Sequence, residues 1–269
     1  MLFRSVSQVP PVRVPPRRNA DLGTRTVVGL ALIAVAAAAL WFGDFAFWLL
    51  ATVAGLVMIH EWGGLHGATP GQKRLAQYAL MVPLAILAPI AAGPSFLALG
   101  LIVGAGFFIA IVTRNGMLGV GAAYVGLPVL ALLLLRDAAD GVLLTFWTLA
   151  LVWACDIGAY FAGRTFGGPK LMPTVSPNKT WAGLVGGMTG AGLFGWALTQ
   201  WGLAPGLAFA SIFLAVAAQA GDLYESWLKR RAGVKDSSDI LPGHGGVLDR
   251  LDGLVPVAPL ALLLVIASR

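Results

Sequence analysis

Between Asp222 and Asp252 the chain gathers Asp222, Glu225, Lys229, Arg230, Arg231, Lys235, Asp236, Asp239, His244, Asp249, Arg250 and Asp252. Eleven of its 30 charged side chains fall in this stretch, between two long apolar segments. Carboxylates bind hard divalent cations, and Lys and Arg bind phosphate oxygens. Beside apolar spans, such a set suits metal-assisted phosphate chemistry at a membrane surface. Asp222, Ser226 and Lys229 stand at i, i+4 and i+7, so one helical stripe presents all three. A plainer reading pairs Asp222 with Lys229 at an interface. Asp249 and Asp252 share a face where the next apolar segment begins, a place where the helix dipole favours acids even without a metal. Asp222, Asp249 and Asp252 are the expected ligands of Mg²⁺, which takes a few carboxylates plus water and substrate phosphates. Lys229, Arg230, Lys235 and Arg250 are expected on phosphates. His244 either donates to a phosphate or shapes the turn made by Gly243, Gly245 and Gly246.

A second polar segment runs from Asp156 to Gly183. Asp156, Tyr160 and Gly163 fall on one helical face, with Arg164 next to them. Lys170, Ser176, Lys179 and Thr180 then precede an apolar run, and amides at a helix start, reinforced by Lys and hydroxyls, make an anion site. Glu61 is a further acid inside an apolar run, read equally well as functional or as snorkelling to the interface. His60 and His66 lack metal-ligand spacing and are read as structural. Cys155 is the only cysteine, which excludes an intrachain disulfide and suggests a small buried apolar residue.

The elements that position these residues follow from composition. Of 269 residues 58% are hydrophobic and 11% charged, outside the range of soluble domains. Apolar windows at 26–42, 45–65, 76–92, 94–113, 117–135, 141–163, 181–201, 206–228 and 253–268 are candidate spans. The expected fold is all-α: a polytopic integral membrane protein of about nine transmembrane helices with its N-terminus in the cytoplasm. Residues 1–25 read as a disordered, basic, proline-rich tail. Residues 26–269 read as one transmembrane catalytic domain, an N-terminal bundle over about 26–135 followed by catalytic helices and loops over about 141–268. With nine spans and an inside N-terminus, only Arg136 and Arg269 of the 18 Lys and Arg residues fall outside. That distribution explains the formal charge of +6 by membrane orientation and argues against nucleic acid.

The residues now become recognisable. Ser226, Lys229-Arg230, Lys235-Asp236, Pro242-Gly243-His244-Gly245-Gly246, Asp249-Arg250 and Asp252 resemble the signature of phosphatidate cytidylyltransferases (CDP-diacylglycerol synthases). Asp156, Tyr160, Gly163-Arg164, Phe166-Gly167, Lys170-Leu171, Pro173, Ser176-Pro177 and Lys179-Thr180 are similar to that family's second region. The resemblance implies that CTP and phosphatidate give CDP-diacylglycerol and pyrophosphate. It also implies Mg²⁺ dependence, with or without an accompanying K⁺, a polytopic helical fold and a homodimer. It places metal and catalytic roles on Asp222, Ser226, Lys229, Asp249 and Asp252, to which Arg250 is added as a phosphate partner. Compact length suits a bacterial inner membrane. One departure is visible: Ala182 stands where the family often has Glu.

Two rivals make different demands. CDP-alcohol phosphotransferases need a D-G-x2-A-R-x8-G-x3-D-x3-D pattern, which the chain lacks. A transporter for anionic solutes predicts charges spread through the bilayer depth, whereas these crowd one side.

Overall fold

The computed structural model describes residues 22–268. Most of the tail expected over 1–25 therefore lies outside the described residues, and its last four positions open the first helix, α1 (Leu22–Phe42). Long apolar runs leave backbone amides no partners but their own carbonyls, and a helix lies over each expected window. After α1 come α2 (Asp44–Leu65), α3 (Pro70–Ile86), α4 (Leu97–Thr113), α5 (Gly116–Asp137) and α6 (Gly141–Phe166). An antiparallel hairpin follows, β1 (Lys170–Met172) and β2 (Ser176–Thr180), with Lys170 opposite Thr180 and Met172 opposite Ser176. Then come α7 (Trp181–Leu198), a 3-10 turn at Thr199–Trp201, α8 (Pro205–Arg231), the single turn α9 (Leu248–Leu251) and α10 (Leu254–Ala267). The protein is mostly helical, with this hairpin added to the all-α expectation. Among the described residues, α2, α5, α6 and α8 are long and apolar enough to cross a membrane, while α4, α10 and Thr26–Phe42 of α1 are shorter apolar helices.

One boundary differs for a local reason. The window at 76–92 becomes a helix starting at Pro70, because Thr69 and Gln72 form a reciprocal capping box and proline occupies the first helical turn. Lys73 and Arg74 thus ride on the helix instead of the preceding loop.

Packing gathers the polar helix ends together. Gln72 Nε2 donates to Thr113 O at 3.0 Å, and Trp62 Nε1 donates to Met117 O at 2.7 Å. These bonds set the start of α3 against the end of α4, and the end of α2 against the start of α5. At the far end of α5, Arg136 Nε donates to Leu40 O at 2.9 Å and closes the last turn of α1. Helices α6 and α7 meet almost backbone to backbone: a Cβ on Gly158 would strike Gly186 O. Small residues at such a seam permit close approach without lipid between. Trp147 Nε1 donates to Ser211 Oγ at 2.9 Å, tying α6 to α8. Helix α10 packs on α5, α6 and α8, and so joins the two hydrophobic clusters.

Candidate active site

The two polar segments meet through Lys179, on β2, and Asp222, on α8. Lys179 Nζ lies 2.6 Å from Asp222 Oδ2, with side-chain exposures of 21% and 34%, so the pair is partly open to its surroundings. Ser226 Oγ donates to Asp222 Oδ1 at 3.2 Å, one helical turn away. Lys229 does not pair with Asp222. Its Nζ lies 2.6 Å from Asp249 Oδ1 and 3.1 Å from Glu225 Oε1, and Glu225 is fully buried.

Asp249 is held from both sides. Its Oδ2 accepts from Ser237 N at 2.8 Å, Ser237 Oγ at 3.0 Å and Gly246 N at 2.8 Å. Burial pushes this carboxyl up, but the bonds from Lys229, Gly246 and Ser237 outweigh it and hold it below the usual range. Asp252 follows α9 and accepts from Gly253 N at 2.7 Å. Burial, then the charge of Asp222, raise its carboxyl to about 7, against the opposing pull of Gly253 N–H and Lys229; Asp156 adds a smaller push. The acids that feel one another's charge are thus Asp156, Asp222 and Asp252, from α6, α8 and the turn before α10.

Among the described residues, no group of three or more His, Cys, Asp or Glu is arranged to hold a metal by itself. The donor chemistry nevertheless fits Mg²⁺, which is content with one or two carboxylates when phosphates complete its shell. Asp222 and Asp252 are the partly exposed acids available for that. Asp249 retains one lone-pair direction, on Oδ1, because Oδ2 already takes three donors.

The remaining expected residues divide by commitment. Thr180 is buried and caps α7, accepting from Gly183 N at 3.0 Å. Arg250 Nε donates to His244 O at 2.9 Å, and His244 packs beside Gly29 of α1. Together they buckle a turn in which Gly245 adopts φ 80°, a conformation that L side chains rarely take. Arg164, Lys170, Arg230 and Lys235 are exposed; Arg164 donates to Tyr160 Oη at 3.0 Å. Ser176 is partly exposed on β2, and Asp156 is exposed on α6. Cys155 is buried, as its residue type suggested.

Glu61 does not snorkel to the interface. It is 1% exposed, and its carboxylate accepts from Ser238 Oγ at 2.5 Å, Val247 N at 3.0 Å and Leu248 N at 2.7 Å. The only sequence signal for this was an acid inside an apolar run.

Fold and site together define a membrane-type helical protein with its acids, lysines and glycine turn gathered at one end of the bundle. Residues 23–267 match the cytidylyltransferase family, and the chain belongs to that family. The phosphatidate cytidylyltransferase of Brucella suis biovar 1 is 40% identical over 252 residues, covering 90% of this chain and 93% of the relative. That of Rickettsia bellii is 33% identical over 225 residues, covering 76% and 96%. That of Haemophilus influenzae is 42% identical over 132 residues, 46% of each chain.

Proposed function

We propose that this protein transfers the cytidylyl group of CTP to phosphatidate, giving CDP-diacylglycerol and pyrophosphate. The observation that carries this reading is the match over residues 23–267, which includes both polar segments that meet at Lys179 and Asp222. A phosphate oxygen of phosphatidate bonds to the α-phosphorus of CTP, while the bond from that phosphorus to the bridging oxygen breaks. Pyrophosphate leaves with the electron pair. The nucleophile is already anionic, so positioning and charge stabilisation supply most of the acceleration.

Asp222 and Asp252, with the open side of Asp249, would hold Mg²⁺, with or without K⁺. When bound, such an ion would supply positive charge that offsets the negative charge of the phosphates. Lys179 exchanges Asp222 for triphosphate oxygens, and Ser226 turns its hydroxyl proton from Asp222 to a phosphate. Lys229, held by Asp249 and Glu225, contributes fixed positive charge beside the reacting phosphorus. Arg164, Lys170, Arg230, Lys235 and Arg250 draw the polyanions in from the rim, with Asp156, Ser176 and His244 bordering the substrates. Thr180 contributes by fixing the start of α7.

The finer topology belongs to this reading: nine crossings, a cytoplasmic N-terminus, a cytoplasm-facing site in a bacterial inner membrane, and a homodimer. The charge distribution supports the orientation, since all Lys and Arg except Arg136 and Arg269 then fall inside. Incubating membranes that contain the protein with radiolabelled CTP and phosphatidate tests the activity. A CTP-dependent liponucleotide is expected, and its absence overturns the reading.

A further inference from the structure

The geometry points to Glu61 as a positioning residue: we infer that this α2 carboxylate sets the placement of the Asp249–Asp252 segment relative to Lys229 and Asp222. The inference rests on the proposed transfer reaction, but its structural basis is separate. Glu61 is 1% exposed and lies 186 and 187 residues before the two amides that it accepts from, Val247 and Leu248. Those amides open α9, whose second residue is Asp249. The third donor, Ser238, follows Ser237, whose amide and hydroxyl both bond to Asp249. Both strands of the loop that presents Asp249 are therefore pinned to one carboxylate of the N-terminal bundle. Gly246 carries no side chain where Glu61 packs: a Cβ there would lie 2.8 Å from the Glu61 carboxyl carbon and would strike Ser237 Oγ.

A bundle that needed only stability would gain as much from an apolar residue here, because a buried carboxylate is costly unless every acceptor is used. Each Glu61 oxygen is used, and the donors all come from the loop that carries the proposed metal and phosphate groups. Glu61 does not reach the substrates. It fixes the angular position of α9, and through it the bonds from Asp249 to Lys229 and Gly246. Carboxylates that orient functional groups in this way are worth about 10–100-fold in metal affinity or activity.

The test compares Glu61→Gln, which keeps shape but sets an amide N–H against a backbone donor, with Glu61→Asp and Ser238→Ala in the full-length protein. Glu61→Gln is expected to lower kcat about 10–100-fold and raise the half-saturating Mg²⁺ concentration, while KM for CTP changes less than about threefold. Glu61→Asp, which keeps the charge, should recover part of kcat. Hydrogen exchange, which needs no turnover, should show faster exchange at Val247 and Leu248 and wild-type protection in α5 and α6. Wild-type kcat and Mg²⁺ dependence in Glu61→Gln, or unchanged exchange at those amides, overturns the inference, as does loss of protection throughout the bundle. If Glu61→Gln fails to accumulate, Ser238→Ala decides, with a severalfold fall in kcat and faster exchange near Gly246 expected and no change in either refuting it. An inactive wild-type protein would defeat the proposed reaction instead, leaving the exchange measurement to judge Glu61.

Discussion

Lys179 and Asp222, 43 residues apart, form an ion pair of 2.6 Å that joins β2 to α8. On the proposed reading, polyanionic substrates would compete with Asp222 for Lys179, and a metal would compete with Lys179 for Asp222. Asp222→Asn is expected to lower turnover about 10²–10³-fold without loss of protein from the membrane. Lys179→Ala should act mainly on KM for CTP, by about 10-fold, because it removes one charge-assisted contact. Steady-state assays on detergent-solubilised protein check both, and near-normal activity of Asp222→Asn would remove Asp222 from the metal assignment.

Asp249 is tied to Lys229, Ser237 and Gly246 at once. Asp249→Asn keeps an acceptor for the loop but places an amide near the Lys229 ammonium. The expected result is loss of turnover together with destabilisation of about 1–3 kcal/mol, read by thermal unfolding in detergent. Turnover lost with an unchanged melting temperature would mean that Asp249 acts only on the substrates.

The Asp252 carboxyl is raised to about 7, so on the proposed reading protons and Mg²⁺ would compete for it in that range. The Mg²⁺ concentration giving half-maximal activity should fall as pH rises from about 6 to 8, and Asp252→Asn should flatten that dependence. The folded state holds the Asp252 proton where the unfolded chain has lost it, between the ordinary carboxylate range and about 7. Its contribution to stability is thus present at low pH and is lost as pH climbs through that window. Melting curves without metal at several pH values, wild type against Asp252→Asn, measure this directly.

Gly186 faces the α6 backbone so closely that a Cβ would strike Ala162 and Gly158 O. Gly186→Val is expected to cost about 1–3 kcal/mol or more through overpacking, and to lower protein accumulation in membranes. A variant with normal accumulation and melting temperature would show that the seam can open.

The helical architecture was legible because uninterrupted apolar runs leave little choice of structure, and both polar segments were visible as charge set among such runs. The start of α3 was also written in the sequence, as Thr69-Pro70-Gly71-Gln72, but window hydropathy averages over capping chemistry. The Thr180 hydroxyl, a candidate phosphate ligand, also stands before an apolar run, which is what an N-cap requires. The partnership of Glu61 with Val247 and Leu248 had no local signature. Only the cost of burying an acid hinted that something distant must answer it. The choice of Lys179 over Lys229 as the partner of Asp222 likewise depends on where the hairpin places β2, which helical spacing on α8 alone cannot say.

The length of α8 has one more consequence. Its 27 residues extend about 40 Å, roughly 10 Å beyond a ~30 Å hydrocarbon layer. The surplus belongs at the end rich in Asp222, Glu225, Lys229, Arg230 and Arg231, since the opposite end is oily. If α8 crosses the bilayer, its final two turns would stand among lipid headgroups, at the depth of a phosphate esterified to diacylglycerol. On the proposed reading, the lipid substrate would arrive by lateral diffusion in its own monolayer, and only the water-soluble nucleotide would have to descend to meet it.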